Sequence, residues 1–179
     1  MDQPLSFETV ISFLVATPLF DGLDAAERAE VVRIMEVQRF RNDQEIFHEG
    51  DTGDAWYVIF EGRAEVVKER QAGGSTRIAL LRAGSCFGEM AILDGQPRSA
   101  TVRAAGPLTL FRFARSRFDD LLDQGSLGAF KLVASMARTL SQRQRQLTQH
   151  VSELMQRRVT PTSIRAEVGD VLDRYLVSE

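Results

Sequence analysis

Between Ser6 and Leu14 the apolar residues Val10, Ile11, Phe13 and Leu14 form one stripe at helical spacing. Ser6 is placed to cap the first backbone amides, and Pro18 ends the helix. "LDAAERAEVVRIM" predicts a second short helix, with Leu23, Val31, Ile34 and Met35 inward and its charges outward. From Val37 to Phe113 the pattern changes to short β-branched and aromatic runs separated by turn signals such as "EGDTGD", "QAGGS" and "LDGQP". That spacing predicts a sandwich or a closed double-sheet jelly roll. "AWYVIFEGRAEVVKE" reads as two strands joined at Glu61-Gly62; Trp56, Val58 and Phe60 share one face, Tyr57 and Ile59 the other.

"FARSRFDDLLDQG" predicts another short helix, and the longest helical pattern then runs from Leu127 to about Arg158, about 45 Å at helical rise. Val133, Leu140, Leu147 and Leu154 recur every seven residues, and Phe130, Ala137 and Val151 fill alternate seam positions, with Gln144 as the polar exception. This is a coiled-coil seam, for which a parallel homodimer with Gln144 setting register is the expected use. Thr160-Pro161 breaks the pattern, and Ile164, Val168, Val171, Leu172, Tyr175 and Leu176 line one face of a final helix. The expected fold class is α+β, mainly β: a double-sheet jelly-roll barrel with N-terminal helices, a short helix within "EMAIL" and a long C-terminal helix. The expected organisation is an N-terminal helical segment over 1–36, a barrel over 37–125, the long helix over 126–158 and a helical extension over 159–179.

Composition narrows the function classes. A net charge of -3 on 179 residues supplies no global field that would collect nucleic acid. Cys86 is the only cysteine, which excludes an internal disulfide and a four-cysteine metal or cluster site. The first basic residue is Arg28, so no positively charged leader precedes the early apolar run, and no stretch has the length needed to cross a bilayer. A cytoplasmic protein without membrane attachment is expected. His48 and His150 are far apart and read as structural or solvent-facing, which argues against a metal-dependent cupin. Cys86 reads as a small buried residue.

The chemistry concentrates in "FGEMAILDGQPRSATV", Phe87 to Val102. Gly88 permits close backbone approach, and the turn that follows presents unpaired amides suited to an anion. Arg98 adds a planar donor fork matched to phosphate, and Ser99 and Ala100 add a hydroxyl and amides. Glu89 is a poor phosphate ligand but a good acceptor for a sugar hydroxyl beside one. A nucleotide with a singly charged cyclic phosphate and a free ribose hydroxyl meets both demands.

The same stretch resembles the phosphate-binding cassette of the cyclic nucleotide-binding domain family, shared by protein kinase A regulatory subunits, cyclic-nucleotide-gated channels and the bacterial catabolite activator. Its Phe-Gly-Glu-apolar-Ala opening and its Arg-small-Ala-Thr-Val close are both present, and "EIFHEGDTGDAWYVIFEGRAEVV" resembles the family's early strands. The likeness spans about Pro18 to Leu154. It implies that Glu89 holds the ribose 2′-hydroxyl and that Arg98 and Ser99 hold the cyclic phosphate. Phe87, Gly88, Met90, Ala91 and Ala100 would then supply backbone contacts or pocket wall, with Ile92 and Val102 in the core. Ser99 favours cAMP over cGMP. Alignment with the catabolite activator puts Arg143 and Gln144 where that protein has small hydroxyl residues, at the base-contacting end, so base selectivity stays open.

One helix after the seam is too little for a helix-turn-helix, and no kinase, cyclase, phosphodiesterase or channel segment is present. The expected function is therefore a non-enzymatic receptor, with no cofactor and cAMP as ligand, signalling to an effector protein whose identity the sequence does not give. Phosphate capture would draw the cassette inward and let Phe118, Leu121 and Leu122 repack with the start of the long helix over the base. An unliganded adaptor, a cGMP or cyclic di-GMP receptor, and a regulator with an unconventional DNA surface are the alternatives. Arg138, Arg143, Arg145, Arg157 and Arg158 read as solvated helix flanks, with RNA or acidic-partner binding the weaker reading.

Overall fold

A computed structural model describes residues 5–69 and 74–156. Helix α1 (Phe7–Ala16) starts where the Ser6 side chain accepts the Thr9 amide, as expected. A 3-10 turn at Pro18–Phe20 leads to α2 (Ala25–Arg33), whose start is closed by a reciprocal capping box between Asp24 and Glu27. Met35 belongs to a strand, not to the second helix: it opens β1 (Met35–Phe40) and pairs with Phe113. The apolar run Ile34-Met35 suits either period, and the ladder with a distant strand decides it.

Seven further strands follow: β2 (Glu45–Phe47), β3 (Ala55–Glu61), β4 (Arg63–Glu69), β5 (Ser75–Arg82), β6 (Cys86–Phe87), β7 (Thr101–Ala104) and β8 (Leu108–Ala114). They form two four-stranded antiparallel sheets, β1-β8-β3-β6 and β2-β7-β4-β5, a mainly β jelly roll with helices at its flank. Gly62 turns β3 into β4 at φ 94, and a Cβ there would lie 2.3 Å from the Pro107 carbonyl oxygen. Only glycine fits that corner.

The alternation along β3 divides the interior in two. Tyr57 and Ile59 face the space between the sheets with Phe87, Val102 and Leu110. Trp56 and Val58 face the helices, in a core shared with Val10, Leu14, Phe20, Phe113, Phe118 of α4 (Arg115–Asp123), and Leu132 and Met136 of α5 (Leu127–Gln156). Phe60 packs at the margin of that second core. Polar contacts tie α5 to α2: Lys131 Nζ donates to both Glu27 oxygens at 2.7 and 2.8 Å, and the Ser126 hydroxyl bonds Glu30. The other face of α5 leaves Leu127, Phe130, Leu147, Val151 and Met155 exposed, with Val133 and Leu140 half-buried and Leu154 buried. The Thr160-Pro161 break and the final helix lie outside the described residues. Among those residues no helix is long and apolar enough to cross a membrane, and no cluster of His, Cys, Asp and Glu is arranged to hold a metal.

Candidate functional site

Strand β6 ends at Gly88, whose φ of 76 swings the chain into the short helix α3 (Glu89–Asp94). A Cβ on Gly88 would meet Arg98 Nη1 at 2.8 Å, so the missing side chain makes room for the guanidinium as well as for the turn. Gly95, at φ 70, closes α3 and returns the chain towards β7. Two backbone bonds anchor the returning loop: the Arg98 amide donates to Asp51 O at 2.8 Å, and the Gly50 amide donates to Arg98 O at 2.9 Å. The "EGDTGD" turn is thus the clamp that sets where Arg98 begins.

The Arg98 side chain is 1% exposed. Its Nη1 donates to Gly88 O at 2.8 Å and its Nη2 to Ala55 O at 2.6 Å, with Asp54 Oδ1 at 3.3 Å. The guanidinium lies 4.1 Å above the Phe47 ring, which adjoins Tyr57 and Phe87, themselves stacked at 5.1 Å. Its Nε is buried with no hydrogen-bond partner. A buried guanidinium whose one carboxylate hydrogen bond goes to a 64%-exposed aspartate, and which keeps an unused N–H, is a set of donors that an anion would complete.

Glu89 is also buried, and loss of water pushes its carboxyl above the usual carboxylate range, an effect opposed by the Arg143 cation. Arg143 reaches down from α5: Nη1 lies 3.2 Å from Glu89 Oε1 and Nη2 donates to Cys86 O at 3.3 Å. These groups surround a cavity of about 150 Å3. Phe87, Gly88, Glu89, Met90, Ala91, Arg98, Ser99, Ala100 and Arg143 all line it, bringing together nine of the ten residues singled out from the sequence. Gln144 does not line it and sits exposed on α5. The rest of the lining is apolar: Val66, Ile78, Ala79, Leu81 and Val102, with Phe47 under the guanidinium. One end holds a cation and a carboxylate, and the other offers a flat organic ring a dry surface.

Sequence reasoning missed Asp54, Phe47 and the β4–β5 wall. It also missed Lys68, whose Nζ donates to Ser99 O at 2.7 Å and to Glu49 at 2.6 Å, pinning the loop from its outer side. Alternation from Ala64 through Val66 marks which side of β4 turns inward, and so could have flagged that wall. Asp54 carried no local signal beyond its place in a turn.

Comparison with known proteins agrees with this geometry. Residues 37–125 match the family model described as "Cyclic nucleotide-binding domain". A cAMP-dependent protein kinase regulatory subunit of Mycosarcoma maydis is 42% identical over 94 residues, covering 52% of this chain and 18% of that protein. The chain therefore spans well under a third of that curated relative. Among solved structures, a cyclic nucleotide-binding domain from Methylobacillus flagellatus KT superimposes with TM-score 0.70 at 25% identity, over 86% of this chain and 85% of that one. The regulatory domain of Toxoplasma gondii PKA with cAMP gives TM-score 0.61 at 29% identity, over 71% and 48%. Matched in sequence through 37–125 and in shape over 86% of its length, the chain belongs to the cyclic nucleotide-binding domain family.

Proposed function

We propose that the cavity takes up a cyclic nucleotide, cAMP foremost, and that occupancy is read by an effector protein through α4 and α5, without catalysis. The observation that carries this reading is that buried Arg98, whose Nε has no hydrogen-bond partner, and buried Glu89 line one cavity. A phosphodiester completes the first, a ribose hydroxyl bonds the second, and the purine lies on Val66, Ile78 and Leu81. Ser99 beside Arg98 favours adenine over guanine. The Toxoplasma relative, solved with cAMP, lends the ligand class support.

The size of the cavity bears on mechanism. At about 150 Å3 it is smaller than the ~300 Å3 and upwards of ordinary small-molecule pockets, so a nucleotide must widen it. Two routes carry that widening to the helices. Asp54 contacts both Arg98 and Arg112 Nη2, the latter at 2.8 Å, and Arg112 Nη1 continues to Glu36 at 3.0 Å, which faces Arg117 of α4. On the other side Arg115 Nη1, at the start of α4, donates to Ala91 O of α3 at 3.3 Å. A ligand that prefers the widened arrangement shifts the balance by its difference in affinity, typically about 1–3 kcal/mol.

Isothermal titration of the purified chain with cAMP, cGMP and cyclic di-GMP tests the reading. Saturable binding of cAMP, tighter than of the other two, is expected; absence of heat with all three overturns it. The same small cavity favours a second reading, an unliganded adaptor in which Arg143 fills the site. That outcome of the titration would select it.

In the proposed receptor the exposed stripe of α5 is the seam of a parallel homodimer. Leu147→Glu places a carboxylate in it and is expected to weaken association by more than about 30-fold in sedimentation velocity. A wild-type chain that sediments as a monomer would remove the seam from the account.

A further inference from the structure

Among the described residues Arg143 is the one site residue delivered by a helix outside the barrel, and its geometry is specific. Its fork does not lie flat against the Glu89 carboxylate; Nη1 takes Oε1, while Nη2 is committed to the Cys86 carbonyl three residues earlier in the chain. Arg143 is thereby fixed to the backbone of β6, which leads into α3, and Glu89 is fixed to Arg143. Three groups face the carboxylate: Arg143 from α5, Arg98 from the loop before β7 and the Cys86 thiol from β6. Burial holds Cys86 as a neutral thiol. Arg98 spends its terminal nitrogens on Gly88 O, Ala55 O and Asp54. Of the two cations, Arg143 alone is hydrogen-bonded to Glu89 in these contacts.

We infer that Arg143 is a positioning residue for sugar selectivity: by orienting Glu89 and keeping it an acceptor, it makes the cavity prefer a ribose over a 2′-deoxyribose. The inference rests on the cyclic-nucleotide reading and deepens it. A hydroxyl donates well to a carboxylate and poorly to a carboxyl group whose proton competes for the same oxygens. Burial drives Glu89 toward the protonated form, and Arg143 opposes that. Where the ligand has no 2′-hydroxyl, the state of Glu89 has nothing to act on. Arg143 should then be nearly silent.

The test is a pair of titrations, cAMP and 2′-deoxy-cAMP, on wild type, Arg143→Gln and Arg143→Lys, each at neutral pH and at a descending series of pH values. For Arg143→Gln, cAMP affinity at neutral pH is expected to fall about tenfold or more, the magnitude of a hydrogen bond to a charged group, while 2′-deoxy-cAMP changes less than about threefold. The remaining cAMP affinity should weaken further as pH falls, because protonation of Glu89 now begins at higher pH. Arg143→Lys, which restores the charge, should recover part of the preference. Equal losses for both nucleotides would mark Arg143 as merely structural and overturn the inference, as would a gain in cAMP affinity, which would mark it as a competitor. Failure of wild type to bind either nucleotide overturns the receptor reading itself. Binding with an unchanged ribose preference in Arg143→Gln overturns only the role of Arg143. Thermal melts of each variant separate loss of fold from loss of site.

Discussion

Arg98→Ala is expected to lower cyclic nucleotide affinity by at least about 100-fold, the equivalent of about 3 kcal/mol. Nε, the nitrogen without a partner, supplies one charge-assisted bond worth about 1.5–3 kcal/mol, and the guanidinium charge beside the phosphate in a buried site supplies the remainder. The same substitution should also cost stability in the unliganded protein. Removing the guanidinium strips donors from the Gly88 and Ala55 carbonyls and withdraws a face contact from Phe47. Arg98→Lys is the sharper variant, since it keeps the charge and loses the fork. One ammonium cannot bridge Gly88 O and Ala55 O and still present a donor to the cavity in the place of Nε. Lysine is therefore expected to restore stability in part and binding hardly at all. Calorimetry and urea midpoints, read together, separate the two effects. Wild-type affinity in Arg98→Ala would remove the phosphate from this end of the cavity.

What was legible in the sequence was whatever short-range physics controls. Ser6 announces a helix start because a cap acts within three residues, and the alternation of Trp56 and Tyr57 announces two cores because a strand has period two. The site was legible for a similar reason, since Gly88, Glu89 and Arg98 are close in sequence and joined by one short helix and its return loop. The contacts that complete it are not of that kind. Asp54 meets Arg98 across 44 residues and Arg143 meets Glu89 across 54, pairings fixed by how loops and helices dock. The period of α5 places Arg143 and Gln144 side by side, yet one turns into the cavity and the other out to solvent. Adjacent helical positions differ by about 100° in direction, and how α5 docks decides which of the pair reaches the cavity.

The largest effect on folding itself is expected at Trp56. The indole is wholly buried, stacks on Phe113 at 4.0 Å with planes 10° apart, and meets the edge of Phe118 at 5.6 Å. It is thus the joint between β3, β8 and α4, in the core that also seats Leu132 and Met136 of α5. Trp56→Ala should cost about 3–5 kcal/mol, a large share of the roughly 5–15 kcal/mol that holds a domain together. Trp56→Phe should cost far less. It keeps most of the ring contact, and it removes an indole N–H that has no hydrogen-bond partner in the folded protein, so the lost volume is offset by the loss of an unsatisfied donor. A shift within about 1 kcal/mol is expected for phenylalanine, measured as a change in urea midpoint at constant slope. Because side chains at Trp56 and Tyr57 point to opposite faces, the alanine variant loosens the helices while leaving the aromatic layer under Arg98 in place. Under conditions where it stays folded, it should therefore retain nucleotide affinity that Arg98→Ala loses. An alanine cost below about 1 kcal/mol would mean that barrel and helices do not share one cooperative core, and the cavity would then lack a rigid path to α5.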